Sequence, residues 1–136
     1  MGAHAMNIFY EILLDPQDDF FVSLEGRFVI EIDGSKQFDD SFILLTELAV
    51  FFRKWLDGDP RQTEFSFDSM DEEETGLLTI EPTDNGTFKL SGAWSEFDAV
   101  VAKDEVISAI TDYLIRLRDE CRERYGTEWD WTALPV

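Results

Sequence analysis

Arg27-Phe28-Val29-Ile30-Glu31-Ile32-Asp33 alternates, with Phe28, Ile30 and Ile32 on one side and Arg27, Glu31 and Asp33 on the other. A period of two marks a half-buried strand. A few residues on, the period lengthens. Leu44, Leu45, Leu48, Phe51, Phe52, Trp55 and Leu56 fall at the i, i+3, i+4 spacing of an amphipathic helix. A strand face and a helix stripe this apolar must cover each other or be covered by something else. The stretch from Arg27 to Leu56 therefore predicts an α+β fold.

Upstream of that stretch, Asn7 to Leu14 also alternates, with Ile8, Tyr10, Ile12 and Leu14 on one face and Phe9 and Leu13 on the other. Both faces are apolar, which predicts a central place in the sheet. Asp15-Pro16-Gln17-Asp18 reads as a turn, because proline presets φ and aspartate caps it. Phe20, Val22 and Leu24 share the parity of Phe28, Ile30 and Ile32. Gly26 is then either a tight hairpin turn or a bulge within one long bent strand. Asp33-Gly34 is a hairpin signal, followed by a short return strand from Lys36 to Phe38. Asp39, Asp40 and Ser41 are N-cap candidates for a first helix from Phe42 to Leu56. Gly58, as a C′ glycine, and Pro60 end it.

Downstream, Thr63 to Phe67 reads as a short strand, Asp71 to Glu74 as a loop and Leu77 to Glu81 as a strand. Asp84-Asn85-Gly86 is a second hairpin turn, returning through Phe88 and Leu90 towards Trp94, with a last strand over Phe97 to Ala102. Asp104 is the expected cap of a final helix, whose buried stripe is Val106, Ile110, Tyr113, Leu114, Leu117 and Cys121. Arg116, Arg118, Arg122 and Arg124 gather in its last turns, where the helix dipole favours positive charge. Gly126 stops it. There is no repeat, low-complexity tract or linker. The expectation is one domain over residues 6–136, an antiparallel β-sheet with two amphipathic helices packed on one face.

Residues 1–5 read as an expression scar ahead of a natural start at Met6, so that the single histidine, His4, is foreign. They lack the charged and apolar regions of a signal peptide. No apolar run reaches the roughly 18–20 residues of a membrane span. Cys121 is the only cysteine, which rules out an intrachain disulfide and fits a reducing cytoplasm. A hydrophobic content of 44% separates the chain from disordered acidic proteins.

The 30 acids against 11 bases give a net charge of −19. Such a charge repels nucleic acid and anionic membranes and steers basic partners; its plainer use is solubility. The excess is densest between Asp57 and Asp84, where ten acids face one base, Arg61. Within it, Asp71-Glu72-Glu73-Glu74 beside Asp68 is either a solvated loop or a set of carboxylates that imitates phosphate spacing and docks in a basic groove. Trp129 and Trp131, near the C-terminus, either fold back over an open sheet face or anchor a partner, a role tryptophan often fills.

Without a native histidine there is no Ser-His-Asp or Cys-His arrangement, and the usual zinc ligand sets are gone. No phosphate-cradling glycine loop and no calcium-loop pattern occurs. Carboxylate pairs of the kind that metal-dependent hydrolases use are present only as chance demands among so many acids. Cys121, on a buried stripe, reads as core packing rather than a nucleophile. No catalytic residue, metal ligand or cofactor is expected.

Leu24-Glu25-Gly26-Arg27-Phe28-Val29-Ile30-Glu31-Ile32-Asp33-Gly34, then Leu44-Leu45-Thr46-Glu47-Leu48-Ala49 and Trp55-Leu56, resembles a small uncharacterised bacterial family. Its members sit among proteins thought to neutralise polymorphic toxins. Leu90-Ser91-Gly92-Ala93-Trp94-Ser95-Glu96-Phe97 resembles that family's C-terminal half, and the likeness spans most of Met6 to Tyr125. Its motifs are structural and carry no functional residue across. The resemblance implies a protein that binds and blocks a partner. The expected function is thus a cytoplasmic acidic binding protein of immunity or inhibitor type, masking a basic partner protein such as a nuclease toxin. Asp68, Asp71, Glu72, Glu73, Glu74, Trp129 and Trp131 are its candidate contacts. The alternatives are a carboxylate-based metal-dependent hydrolase and a homodimeric structural domain.

Overall fold

A computed structural model describes residues 5–14, 24–67, 78–83, 86–92 and 95–126. Their order is β1 (Met6–Leu14), β2 (Glu25–Ile32), β3 (Ser35–Leu44), α1 (Leu45–Asp57), β4 (Phe65–Phe67), β5 (Leu78–Pro82), β6 (Thr87–Gly92), β7 (Ser95–Ala102) and α2 (Lys103–Tyr125). The fold is α+β, and all strand pairs are antiparallel. The strands divide between two sheets, β1-β2-β3 and β4-β5-β6-β7, with β3 lying beside β7.

The alternating stretch from Arg27 to Ile32 lies in the central strand of the first sheet. Phe28, Ile30 and Ile32 are buried on β2, in one core cluster with residues of both sheets and both helices. Phe28 meets α1 through Phe52 at 6.3 Å and α2 through Tyr113 at 5.2 Å between ring centroids. The second sheet faces the same helices. Phe65 stacks on Phe52 at 4.6 Å, and Trp55 lies 5.4 Å from Phe88. Aromatic pairs of this kind add about 0.5–1.5 kcal/mol each beyond the area they bury. The buried stripe of α2, Val106, Ile110, Tyr113, Leu114, Leu117 and Cys121, is the one its spacing predicts. Tyr113, fully buried, donates its hydroxyl to the Leu45 carbonyl at 2.9 Å and so ties the two helices.

Gly26 lies inside β2, not in a turn. The register slips beside it on both neighbours, between Ile12 and Leu14 on β1 and between Gly26 and Phe28 against β3. A Cβ there would sit 2.2 Å from the Glu11 carbonyl oxygen and 2.7 Å from Leu45 Cδ1. The glycine is required by close backbone approach. The Asp33-Gly34 turn forms as expected, with φ of 55° and 80° at the two positions.

Four local expectations are corrected. β1 is an edge strand, since β2 occupies the middle of its sheet, and Phe9 and Leu13 are 46% and 51% exposed on its outer face. β3 continues through Asp39, Asp40 and Ser41, so α1 starts at Leu45 with no side-chain cap. Asp39 and Asp40 stay in the strand because their backbones pair with Val29 and Phe28 of β2, to which Asp39 adds an ion pair with Arg27 at 2.6 Å. Gly58 ends α1 at φ −90°, outside the left-handed region, with its N–H donating to the Trp55 carbonyl. Asp104 lies in the first turn of α2 rather than at its cap, which is Ala102, because Lys103 N–H bonds the Gly86 carbonyl and the helix starts two residues earlier. Gly126 closes α2 in the left-handed conformation, φ 64°.

Candidate interaction surface

β1 and α2 run side by side, and three bonds hold them. The Met6 N–H donates to Glu105 Oε1 at 3.0 Å, the Arg116 guanidinium to the Ile8 carbonyl at 2.6 Å, and the Tyr10 hydroxyl to Glu120 at 2.6 Å. Glu105, Asp112, Arg116, Asp119 and Glu123 follow one another at intervals of seven, four, three and four residues, with Glu120 beside Asp119, so the helix period lines them along one flank of the buried stripe. Two adjoining, open clefts lie between the β1 edge and this flank. One, of about 490 Å³, is lined by Met6 to Phe9 and by Glu105, Ser108, Ala109, Asp112 and Arg116. The other, of about 620 Å³, is lined by Tyr10, Arg116, Asp119, Glu120, Glu123 and Arg124.

Arg116 stands where the clefts meet. Its Nε donates to Asp112 at 2.8 Å, its terminal nitrogen holds Ile8, and its Cζ lies 5.8 Å from the Tyr10 ring centre. Arg124 likewise donates to Glu120 at 3.2 Å. The positive charge in the clefts is thus already matched by the chain's own acids. Burial, and then the hydrogen bond to Glu120, raise the Tyr10 hydroxyl well above its ordinary pKa. It stays protonated and a donor. Burial, ahead of the nearby Glu120 charge, pushes the Cys121 thiol up to about 12. A thiol that holds its proton is a poor nucleophile, in keeping with its place in the core.

The same matching recurs over the molecule. At least six of the eleven basic side chains are in ion pairs with neighbouring acids: Arg27–Asp39, Arg53–Asp57, Arg61–Asp104, Arg116–Asp112, Arg118–Asp119 and Arg124–Glu120. All eleven bases fall within the described residues, while segments 15–23, 68–77 and 127–136 bring acids and no base. Among the described residues no group of three or more His, Cys, Asp or Glu is placed to hold a metal ion. No described helix is long and apolar enough to cross a membrane.

Asp68, Asp71, Glu72, Glu73, Glu74, Trp129 and Trp131, the contacts expected from sequence, lie outside the described residues. The flanks of the acidic run do not: Phe67 and Leu78 pair at the end of β4 and β5, and Phe67 packs on Phe51 of α1 at 5.2 Å. The acids of the α2 flank were missed as a group. Their helical spacing was visible, but the arginines among them read only as partners of the helix dipole.

Fold and surface together describe an acidic α+β domain in which no described strand covers the outer edge of β1, beside a carboxylate-lined helix. Residues 10–123 match the family described as "Domain of unknown function (DUF7878)", and the chain belongs to that family. No curated protein and no solved structure matches the chain.

Proposed function

We propose that this protein is a non-catalytic binding protein of immunity or inhibitor type, which uses its negative surface to mask a basic surface of a partner such as a nuclease toxin in the bacterial cytoplasm. One observation carries the reading: a charge of −19 in which most bases are neutralised by their own neighbours. A base paired within its own molecule adds little to the field outside, so approaching partners meet the surplus carboxylates. A field of that sign speeds encounter with a basic protein and weakens as salt screens it. The segments that hold the acidic run and the tail supply surplus acid of the same sign.

The reading is tested by capture from a lysate of the source organism on the tagged full-length chain at low salt, followed by mass spectrometry. A basic protein recovered in stoichiometric amount and released by salt is the expected result. Recovery of none at low salt overturns it. A second reading, a homodimer, draws on the exposure of Phe9 and Leu13 on the outer face of β1. Light scattering after size exclusion decides it, with a mass of twice 15.7 kDa in its favour.

A further inference from the structure

We propose that the cleft between the free edge of β1 and the acidic flank of α2 receives an extended, lysine- or arginine-rich segment of the partner, laid along β1 as an added strand. The proposal rests on the binding function above and says where the partner's basic chain lies.

The geometry begins with the main chain of β1. Among the described residues, nothing but β2 pairs with β1. In an antiparallel ladder each residue turns its N–H and C=O to the same side, and successive residues alternate sides. The Met6 N–H and the Ile8 C=O bond side chains of α2, not β2. The even-numbered residues Met6, Ile8 and Tyr10 therefore direct their main-chain groups into the clefts. Over residues 6–10 that makes a ladder about 13 Å long at roughly 3.3 Å per residue. Strand addition uses such groups for affinity and leaves the side chains to set specificity.

Charge names the occupant. The wall opposite β1 carries Glu105, Asp112, Asp119, Glu120 and Glu123; Asp112, Asp119 and Glu120 pair with Arg116, Arg118 and Arg124, and Glu105 and Glu123 are the surplus. A segment with basic side chains on the helix-facing side finds carboxylates along its length, whereas an acidic one is repelled. Arg116 marks the place of the incoming chain. It fills at Ile8 the acceptor position that a partner's N–H would take, and it keeps Asp112 when displaced. Until then it blunts an edge that would otherwise pair at random.

The test uses the full-length chain, labelled with nitrogen-15, and a fluorescein-labelled decapeptide of alternating lysine and threonine at low salt. Amide shifts gathered on residues 6–10 and 105–123 are expected. Asp119→Lys with Glu123→Lys should weaken the anisotropy-measured affinity about tenfold or more. Glu64→Lys with Glu81→Lys, an identical charge change on exposed residues away from the clefts, should alter it less than about threefold. Circular dichroism confirms that both variants fold. Shifts that map elsewhere, or equal weakening by both pairs, overturn the cleft assignment while a partner captured from lysate still upholds the binding function. Absence of peptide binding also overturns it. Shifts at β1 that grow with protein concentration and no peptide mean that a second copy takes the edge, which overturns it too.

Discussion

Replacing Gly26 by alanine adds one carbon atom and strikes at the joint between the first sheet and α1. The new Cβ would lie 2.2 Å from the Glu11 carbonyl oxygen, where ordinary contact begins at 3.4 Å, and 2.7 Å from Leu45 Cδ1. The leucine methyl can rotate away. The Glu11 oxygen is backbone, in a strand whose Glu11 faces Arg27 in the ladder, so β1 has to move by more than an ångström. Overpacking usually costs about 1–3 kcal/mol, and separating the strands also loses ladder hydrogen bonds of roughly 1 kcal/mol each. The expected loss is therefore about 3 kcal/mol or more, on the order of 10 °C in Tm for a domain of this size. Thermal unfolding followed by far-ultraviolet circular dichroism measures it. Gly34→Ala is the comparison. It meets nothing within 4 Å and has φ of 80°, so only backbone strain of about 1 kcal/mol applies. If Gly26→Ala melts as high as Gly34→Ala, the close approach of β1 to β2 is wrong.

Phe28→Ala removes a fully buried ring that touches Phe38, Phe52 and Tyr113, and should cost about 3–5 kcal/mol in urea unfolding; a loss below about 1 kcal/mol would deny it the central place. The Cys121 thiol, pushed up to about 12 by burial and fully buried, should react with a thiol reagent at pH 8 at least about tenfold more slowly in the native state than in urea, and rapid native labelling would place it at the surface. The hydrogen bond from Arg27, followed by the attraction of its charge, holds the Asp39 carboxyl below its usual range despite some desolvation. A depressed carboxyl contributes stability that is present above the unfolded pKa and is lost as pH falls through the folded one. Asp39→Asn should therefore be less stable than wild type at neutral pH, with the gap closing below about pH 4; a gap unchanged down to about pH 2 would contradict the pairing.

Much of the fold was legible wherever one periodicity acts alone. The β2 alternation and the α2 stripe from Val106 to Cys121 are buried as their spacing requires, and Asp33-Gly34 takes the positive φ angles that its residue types favour. The errors fall where a distant partner overrides a local signal. Asp39-Asp40-Ser41 has the composition of a helix cap, but pairing with Val29 and Phe28 of the neighbouring strand keeps Asp39 and Asp40 extended. Asp104 has the same composition and gives way because Lys103 bonds Gly86 from another hairpin. Strand order leaves no local trace, so apolar residues on both faces of β1 suggested the middle of a sheet whose edge it forms. The cleft was hidden for a related reason. Spacing puts Glu105, Asp112, Asp119 and Glu123 on one line, but only packing shows that the line faces β1. Gly26 stood open between turn and bulge because a glycine signals freedom in φ and close approach alike, and only the position of the Glu11 carbonyl separates them.

The decisive measurement is the association rate of the captured partner with this protein as sodium chloride rises from about 50 to 500 mM, across which the screening length falls from about 14 to about 4 Å. If the surplus carboxylates guide the encounter, the rate should fall by tenfold or more, roughly linearly in its logarithm, while dissociation changes less. A rate indifferent to salt would mean that the −19 charge plays no part in recognition.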